Sequence, residues 1–384
     1  MFEKLKGTLE YTKGKKPTLI EYSNEDTLPY LSAEYLRNNK LESYVDKKNI
    51  DSKYHCNSDD LLIIWDGSNS GEVFMGKPGI LSSTMAKLKI KDKKYTNKYL
   101  YYFLKQKFSI LNEKVTGAAI PHLNKAVLEN LEIYSATQSE QQEIVQVLDT
   151  MSNIIRLREE CISHAQDLIP VLFQEMFKNC ENNTILLSSI CDIKGGKRLP
   201  SGEKLIDAKT EHPYLRVTNF KNQNIDMNDI KYITEDVYKK ISRYVITTGD
   251  IYISIAGTIG LVGDIPNELN NANLTENAAR LIIDKKKVNK KYLIYCLNST
   301  FLQQQIKEAT VGVGVPKLAL SRIGTLKIYL PDIKIQEQFA QKAIEIESYI
   351  KEQHEELNNA RQMFQSLLHH AFTGELTRRA YGKI

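Results

Sequence analysis

The sequence predicts an α+β protein in which two mixed α/β domains are separated by a pair of long antiparallel coiled-coil helices. Three observations lead to this fold class. The chain repeats itself at an offset of 195 residues, and each copy ends in a long stretch with helical apolar spacing. In the rest of each copy, short apolar runs typical of strands alternate with glycine-bearing turns. The duplication predicts a pseudo-twofold internal repeat.

The repeat is clearest near the end of each copy, where residues 116–134 resemble residues 311–329. A matched proline pair sets the offset, and the closing tyrosines keep it: Pro121 with Pro316, and Tyr134 with Tyr329. Upstream the offset slips by a few residues, in K-Y-L-Y-Y-F-L from Lys98 against K-Y-L-I-Y-C-L from Lys291, and in Gly14 against Gly195. Matches in this order indicate duplication rather than two unrelated domains.

Each copy closes with apolar residues spaced three or four apart. They are Ile144, Leu148, Met151, Ile155, Arg158, Ile162, Ala165, Ile169, Leu172 and Met176, matched 195 residues later by Phe339, Ala343, Ile346, Ile350, Gln353, Leu357, Ala360, Phe364, Leu367 and Ala371. This spacing is typical of a coiled-coil seam. The one polar layer, Arg158 and Gln353, could fix the register. Two equal seams most simply bury each other, and an antiparallel pair would place the two domains at opposite ends.

Local signals mark where the two helices begin. Thr137 with Glu140 forms a capping box, and Asp332 takes the same N-cap position in the second copy. Pro170 should kink the first helix near its end. We divide the chain into a first domain at 1–136, a central helix at 137–177, a second domain at 178–331, a C-terminal helix at 332–372 and a tail at 373–384.

Inside the domains, the pattern distinguishes strands from helices. Short apolar runs at 61–64, 252–255 and 281–283 predict strands, and the stretches 97–108 and 289–306 predict helices. Polar glycine-bearing turns, such as those at 66–71 and 256–260, lie between them. Both domains should therefore mix helix and strand.

The composition argues against a membrane protein, a disulfide-rich protein and a structural zinc protein. No apolar run approaches the roughly 18 residues needed to span a bilayer, and the N-terminal segment lacks the apolar core of a signal peptide. The cysteines form no C-x-x-C pair: Cys56, Cys161, Cys180, Cys191 and Cys296. We expect reduced thiols that mostly fill the core, in a cytoplasmic protein without membrane contact.

Charge is segregated along the chain. The first domain has 21 basic and 17 acidic residues and the second has 22 and 15, whereas the two helices have 2 and 7, then 4 and 7. Basic domains on acidic helices suit a protein that touches nucleic-acid phosphates with its domains and keeps its helices away from them.

Candidate DNA contacts are basic or polar residues in glycine-bearing loops. They are Lys15, Lys16, Ser68 and Asn69 in the first domain, Gly195, Gly196, Lys197, Arg198, Arg216, Asn219 and Thr258 in the second, and His122 and Lys317 at one shared repeat position. Gly195 and Gly196 would let the backbone approach a phosphate, and Arg216 could donate to O6 and N7 of a guanine. The alternative for each is a solvated surface group.

Motifs of catalysis are missing from the sequence. It contains no Pro-Pro, so the Asn/Asp-Pro-Pro-Tyr/Phe segment of an adenine methyltransferase is absent. Neither G-x-x-x-x-G-K-Ser/Thr nor H-E-x-x-H occurs. We therefore expect a chain that is not itself an enzyme and holds no cofactor or metal.

The duplicated domains and helices resemble the specificity (S) subunit of a type I restriction-modification system over nearly the whole chain. The resemblance extends to L-H-H-A-F-T-G-E-L at 368–376 and to a junction that tends to read P-P-L-x-E-Q-x-x-I in that family. Here the first junction has Glu140, Gln141 and Ile144 without the prolines. The second keeps Pro331 and Gln336 but has Ile335 in place of the glutamate.

The resemblance implies a division of labour. Each domain would be a target-recognition domain that reads one half of a bipartite site on double-stranded DNA, and the helices would set the gap between halves. Two methyltransferase (M) subunits would carry S-adenosylmethionine and methylate adenine, and two restriction (R) nuclease-translocase subunits would use ATP and Mg²⁺. Because the two domains differ at their loops, the full site should be asymmetric.

Two alternatives remain open at this point. The chain could serve a related restriction system whose methyltransferase and nuclease are fused in one partner, or it could be a coiled-coil protein-interaction module. Salt-dependent DNA binding would argue against the interaction module.

Overall fold

The computed structural model describes residues 1–91, 94–117, 120–178, 184–310 and 316–376. Cys180, most of the predicted tail, and parts of the two most similar repeat segments lie outside these residues. The chain forms two compact units, residues 1–160 with 354–384, and residues 161–353. Each unit contains one globular domain and one half of each long helix. The five-part linear division of the chain stays a prediction.

The first domain is built from short strands around a few helices. Its elements are β1 Phe2–Lys4, β2 Leu9–Lys13, β3 Thr27–Leu31, α1 Ala33–Asn38, β4 Tyr44–Asp46, β5 His55–Cys56, β6 Leu61–Ile64, β7 Val73–Met75, β8 Gly79–Leu81, β9 Met85–Ile90, α2 Asn97–Gln106, α3 Phe108–Glu113, α4 Lys125–Glu129 and β10 Glu132–Tyr134. They form the pair β1-β10 and two four-stranded sheets, β2-β9-β6-β7 and β4-β3-β8-β5.

The second domain repeats this topology between the long helices α5 Gln138–Phe177 and α10 Ile333–Thr373. Its elements are β11 Thr184–Leu186, β12 Cys191–Gly195, β13 Pro213–Leu215, β14 Phe220–Lys221, β15 Asn224–Ile225, β16 Lys231–Tyr232, α6 Glu235–Ile241, β17 Val245–Ile246, β18 Asp250–Ser254, β19 Val262–Gly263, β20 Ala272–Leu274, β21 Ala278–Ile283, α7 Lys290–Asn298, α8 Thr300–Ala309, α9 Leu320–Gly324 and β22 Lys327–Tyr329.

The strand orders of the two domains correspond one to one. The second domain has the pair β11-β22 and the sheets β12-β21-β18-β19 and β16-β13-β20-β17. Each domain also has one parallel pair at the same place, β3 with β8 and β13 with β20. The predicted internal repeat is therefore confirmed at the level of strand order. The hairpin β14-β15 has no counterpart in the described part of the first domain.

One predicted helix is divided in two. The stretch 289–306 forms α7 and α8, which are separated at Ser299. The backbone of Ser299 is extended, and its hydroxyl accepts a hydrogen bond from the Leu302 N–H, so this residue caps α8 instead of continuing α7.

The predicted starts of the long helices are confirmed by their hydrogen bonds. The Thr137 N–H donates to Glu140 (2.7 Å) while the Glu140 N–H donates to the Thr137 hydroxyl (3.3 Å), which completes the capping box. The Lys334 N–H donates to the Asp332 carboxylate at 2.9 Å. Helix α5 runs through Pro170 to its end at Phe177.

Within each unit the long helices run antiparallel. In the first unit, Ile144 near the start of α5 shares a core with Phe372 near the end of α10. In the second unit, Phe173 near the end of α5 packs edge to face on Phe339 near the start of α10. In the first unit, Arg158 forms an ion pair with Glu356 of α10. The polar layer of Arg158 with Gln353 stays a prediction.

The helix ends bury more than the predicted seam. Phe173 and Phe177 pack on Tyr292 of α7, and Phe372 packs on Tyr99 and Phe103 of α2. None of these three phenylalanines lies at a predicted seam position. They are buried because the end of α5 contacts α7 of the second domain, and the end of α10 contacts α2 of the first domain.

Three of the four described cysteines fill the cores, as expected. Cys56, Cys191 and Cys296 are buried, and burial raises the pKa of the Cys296 thiol to about 12. Cys161 is partly exposed, with its Sγ 3.1 Å from the Tyr349 hydroxyl. All four described cysteines are free thiols.

A buried glutamine fastens each long helix to its domain. The Gln141 side chain accepts a hydrogen bond from the Thr96 N–H (2.8 Å) and donates to the Ala136 carbonyl (3.0 Å). The Gln336 side chain, 195 residues later, accepts from the Asn289 N–H (2.9 Å) and donates to the Pro331 carbonyl (2.8 Å). Both side chains are fully buried, so each junction depends on an amide that offers a donor and an acceptor.

Gln141→Ala should lower the free energy of unfolding of the first unit by about 1–3 kcal/mol, because buried backbone groups lose their partners. The measurement is the thermal or urea unfolding midpoint. Gln142→Ala is the matched control, since the Gln142 side chain is exposed one position along the same helix. Equal midpoints for the two variants would show that the glutamine does not fasten the helix.

Candidate nucleic-acid interface

In the first domain, several candidate residues meet at one edge of a sheet. Strand β2 ends at Lys13, which pairs with Ala86 of β9, and β6 ends at Ile64, which pairs with Met85 of β9. The segment after β2 and the loop after β6 therefore leave the sheet at the same edge. Lys15 and Lys16, two of the candidate DNA contacts, lie on the first of these segments and are exposed.

A charged cluster stands at this edge. The carboxylate of Asp66 bridges the Lys13 ammonium (2.8 Å) and the His122 ring Nδ1 (2.6 Å). Partial burial acts to raise the pKa of Asp66, but the hydrogen bonds from Lys13 and His122 outweigh it and hold this pKa below its ordinary value. His122, a predicted contact, is thus exposed and fixed in place, and Lys13 joins it.

The loop 66–71 presents Ser68 and Asn69 to solvent on an internally bonded frame. The Gly67 N–H donates to the Pro121 carbonyl at 2.8 Å, and the Asn112 amide donates to the Ser68 carbonyl at 2.8 Å. Both predicted side chains are exposed, while the backbone behind them is engaged. Such a loop can present polar groups to a ligand without first having to become ordered.

Gly14 and Gly196 make the closest backbone approaches at these edges. The Gly14 N–H donates to the Met85 carbonyl and the Gly196 N–H to the Ala278 carbonyl, both at 2.9 Å. A Cβ on Gly14 would lie 2.0 Å from the Ser82 carbonyl oxygen, and one on Gly196 would lie 2.1 Å from that of Thr275. The match of Gly14 with Gly195 is therefore wrong by one residue, and Gly196 is the counterpart. These glycines make room for the protein's own backbone.

Lys197 and Arg198 follow Gly196 at the corresponding edge of the second domain. Both side chains are exposed, and the Tyr214 hydroxyl donates to the Lys197 carbonyl at 2.8 Å, which fixes the segment. The Arg198 Nε donates to Glu276 at 2.7 Å. The register makes Lys197 the counterpart of Lys15, and Arg198 that of Lys16.

Arg216 and Asn219 form an internally bonded loop. The Asn219 side chain accepts from the Arg216 N–H (2.9 Å) and donates to the Asp229 carbonyl (3.0 Å), and Asn219 is only 2% exposed. It therefore shapes the loop and does not reach the surface as a predicted contact would. The Arg216 guanidinium is partly exposed and pairs with Asp229 at 2.7 Å.

The remaining predicted residues lie near the end of β18. Thr258 is exposed in the turn that follows this strand. The backbone at Lys317 bridges to Ala256, just as His122 bridges to Asp66 in the first domain. The structure thus places His122 and Lys317 at one shared position, and both are exposed.

The sequence of this chain matches one known family in both halves. Residues 1–164 and 180–359 match the family described as the type I restriction modification DNA specificity domain. These two segments cover most of the chain. The chain belongs to the type I restriction-modification specificity family. The fold class and the resemblance inferred from the residues are therefore confirmed.

Relatives of the family match along nearly the whole chain. The MjaVIII type I restriction enzyme specificity subunit of Methanocaldococcus jannaschii is 30% identical, covering 94% of this chain and 89% of the relative. The EcoBI specificity subunit of Escherichia coli is 21% identical over 93% of this chain and 82% of that one. The crystal structure of the S subunit from M. genitalium shares the fold, with a TM-score of 0.60 at 19% identity over 97% and 96% of the two chains.

Proteins of the specificity family are non-catalytic. Among residues 1–91, 94–117, 120–178, 184–310 and 316–376, no cluster of three or more His, Cys, Asp or Glu residues could hold a metal ion. No helix in the same part of the chain has the length and apolar character to cross a membrane.

Sequence reasoning missed Lys13, Asp66 and Glu276. Lys13 is the last residue of a strand, and Asp66 and Glu276 are acidic, so a search for basic loop residues passes over all three. Asp66 is the first residue of the glycine-bearing turn at 66–71, and this position was the available signal. The position of Glu276 at the sheet edge becomes clear only from the structure, in which β20 and β21 lie on either side of it.

Proposed function

We propose that this specificity subunit reads a bipartite, asymmetric site on double-stranded DNA, with one domain for each half. The observation that carries the proposal is the pair of corresponding sheet edges. Both present exposed basic and polar residues on internally bonded loops, but the residues differ, as with Lys16 and Arg198. A shared frame with different side chains fits two different half-sites.

Membership of the family supports a proposal about the partners as well. Two methyltransferase subunits would hold S-adenosylmethionine and methylate adenine within the site, and two restriction subunits would use ATP and Mg²⁺ to translocate and cut DNA. The chain itself would supply recognition and no cofactor, and it would act in the cytoplasm. Mapping methylated adenines in cells that carry this gene with its methyltransferase gene tests the proposal. A single two-part motif supports it, and the absence of any motif contradicts it.

The exposed lysines of the first domain should contribute to the salt dependence of DNA binding. For the full chain with its methyltransferase subunits, log Kd should rise linearly with log salt concentration, because phosphate contacts release counterions. Lys16→Ala should reduce this slope by about 1 and weaken binding alike on all sequences.

Lys40→Ala is the matched control. Its side chain is 67% exposed and pairs with Glu42 on the segment after α1, and Lys40 is not among the predicted DNA contacts. The slope of this variant should equal that of the unaltered chain. DNA binding that did not change between low and high salt would contradict the proposed phosphate contacts.

A further inference from the structure

A cleft of about 380 Å³ opens beside the exposed basic segment of the second domain. Its apolar lining includes Leu199, Leu205 and Tyr214, and its polar lining includes Arg198 and Glu276. An open cleft with a few fixed polar groups on an apolar floor is the usual form of a recognition site.

The Glu276 carboxylate is held in place from two sides. Its Oε1 accepts from the Arg198 Nε at 2.7 Å, and its Oε2 accepts from the Thr275 hydroxyl at 3.0 Å. The side chain of Glu276 is 26% exposed, whereas that of Arg198 is 79% exposed. A fixed acceptor therefore stands beside a guanidinium that projects into solvent.

The ion pair of Arg198 with Glu276 is expected to contribute little to the stability of the fold. Exposed ion pairs typically contribute about 0–1 kcal/mol. A carboxylate on a surface that faces DNA is also repelled by phosphates, so placing one there weakens nonspecific binding. The first domain does without the pair, because the counterparts of Arg198 and Glu276 are Lys16 and Ser83.

We propose that Arg198 and Glu276 together read one G·C base pair in the second half-site. This inference rests on the proposed function. The hydrogen bond to Glu276 uses Nε, so the terminal amino groups of Arg198 can donate to O6 and N7 of the guanine. The carboxylate of Glu276 accepts from N4 of the paired cytosine, a donor that thymine lacks. Lys16 and Ser83 supply neither a guanidinium nor a carboxylate, so we expect this readout in the second half-site only.

The test is selection from duplexes with randomised sequence, using the full chain with its methyltransferase subunits. The unaltered chain should prefer G·C at one position of one half-site, and Arg198→Ala should lower that preference by about 10-fold or more. Arg198→Lys should keep most of the overall affinity, since the charge remains, yet lose the same preference. Glu276→Gln should reduce the discrimination against A·T at that position and leave the other half-site unchanged.

Lys285→Ala is the matched control, because Lys285 is exposed beyond β21 at the opposite edge of the same sheet. It should leave every base preference as it was. The proposal is overturned when Arg198→Lys and Glu276→Gln keep all preferences, or when Arg198→Ala weakens binding equally on every sequence. An unaltered chain that selects no sequence at all would instead refute the proposed function.

Discussion

Gly196→Ala should unfold or severely destabilise the second domain, and with it abolish selection of the second half-site. The new Cβ would lie 2.1 Å from the Thr275 carbonyl oxygen and 2.3 Å from that of Leu274, and both are backbone atoms that no side-chain rotation can move. Overpacking of this kind typically costs about 1–3 kcal/mol and more where the backbone must shift. The measurement is the thermal unfolding midpoint, followed by duplex selection on any soluble product.

The neighbouring residue supplies the control. A Cβ on Gly195 would have its nearest contact at 3.4 Å, from a methyl group of Leu320, which is ordinary van der Waals distance. Gly195→Ala should therefore keep the midpoint close to that of the unaltered chain. Gly14→Ala should repeat the severe effect in the first domain, where the clash is with Ser82. Equal midpoints for Gly195→Ala and Gly196→Ala would show that the backbone can give way.

Adding one heptad to each long helix should lengthen the gap between half-sites by about three base pairs and leave both half-sites unchanged. Seven residues add about 10 Å of helix, and base pairs are spaced about 3.4 Å apart. The insertions belong after Glu160 and after Gln353, where each helix passes from one unit to the other. A whole heptad in both helices keeps the apolar seam in register. Mapping of methylated sites measures the gap.

A two-residue insertion in α5 alone is the contrasting variant. It turns the following seam residues away from α10, because two residues are little more than half a helical turn. Binding to the complete site should then be lost. A heptad variant that kept the original gap would show that the helices do not set the spacing. Altered half-sites would show that the domains do not read DNA independently of the helices.

The elements that depend on local pattern were predictable from the sequence. The capping residues Thr137 and Asp332 satisfy the first backbone N–H groups of the helices they precede, so nearby residues suffice to locate those starts. The seam is also local, since its period follows from the helix itself. Because the sequence is duplicated, a helix start or seam position found in one copy also predicts the matching position in the other copy.

The parts fixed by contacts distant in sequence were not predictable. Strand β3 pairs in parallel with β8 about 50 residues later, and the sequence of neither short strand indicates which strand it pairs with. The ion pair of Arg198 with Glu276 joins residues 78 positions apart. Asn219 looked like a surface residue because its polarity was visible, whereas its hydrogen bonds to the surrounding loop were not.

The first unit consists of two stretches that are far apart in the sequence, so it can be completed only late in synthesis on the ribosome. Residues 161–353 form a continuous unit, so it can close as soon as it has emerged. The first unit must wait for roughly 210 further residues, or roughly 10–40 s at about 5–20 residues per second, before Phe372 is added to the chain. Until then Tyr99 and Phe103 lack their aromatic neighbour from α10. The half of the protein that is synthesised first is therefore the last to be completed, and in that interval it is the nascent segment most in need of chaperone protection.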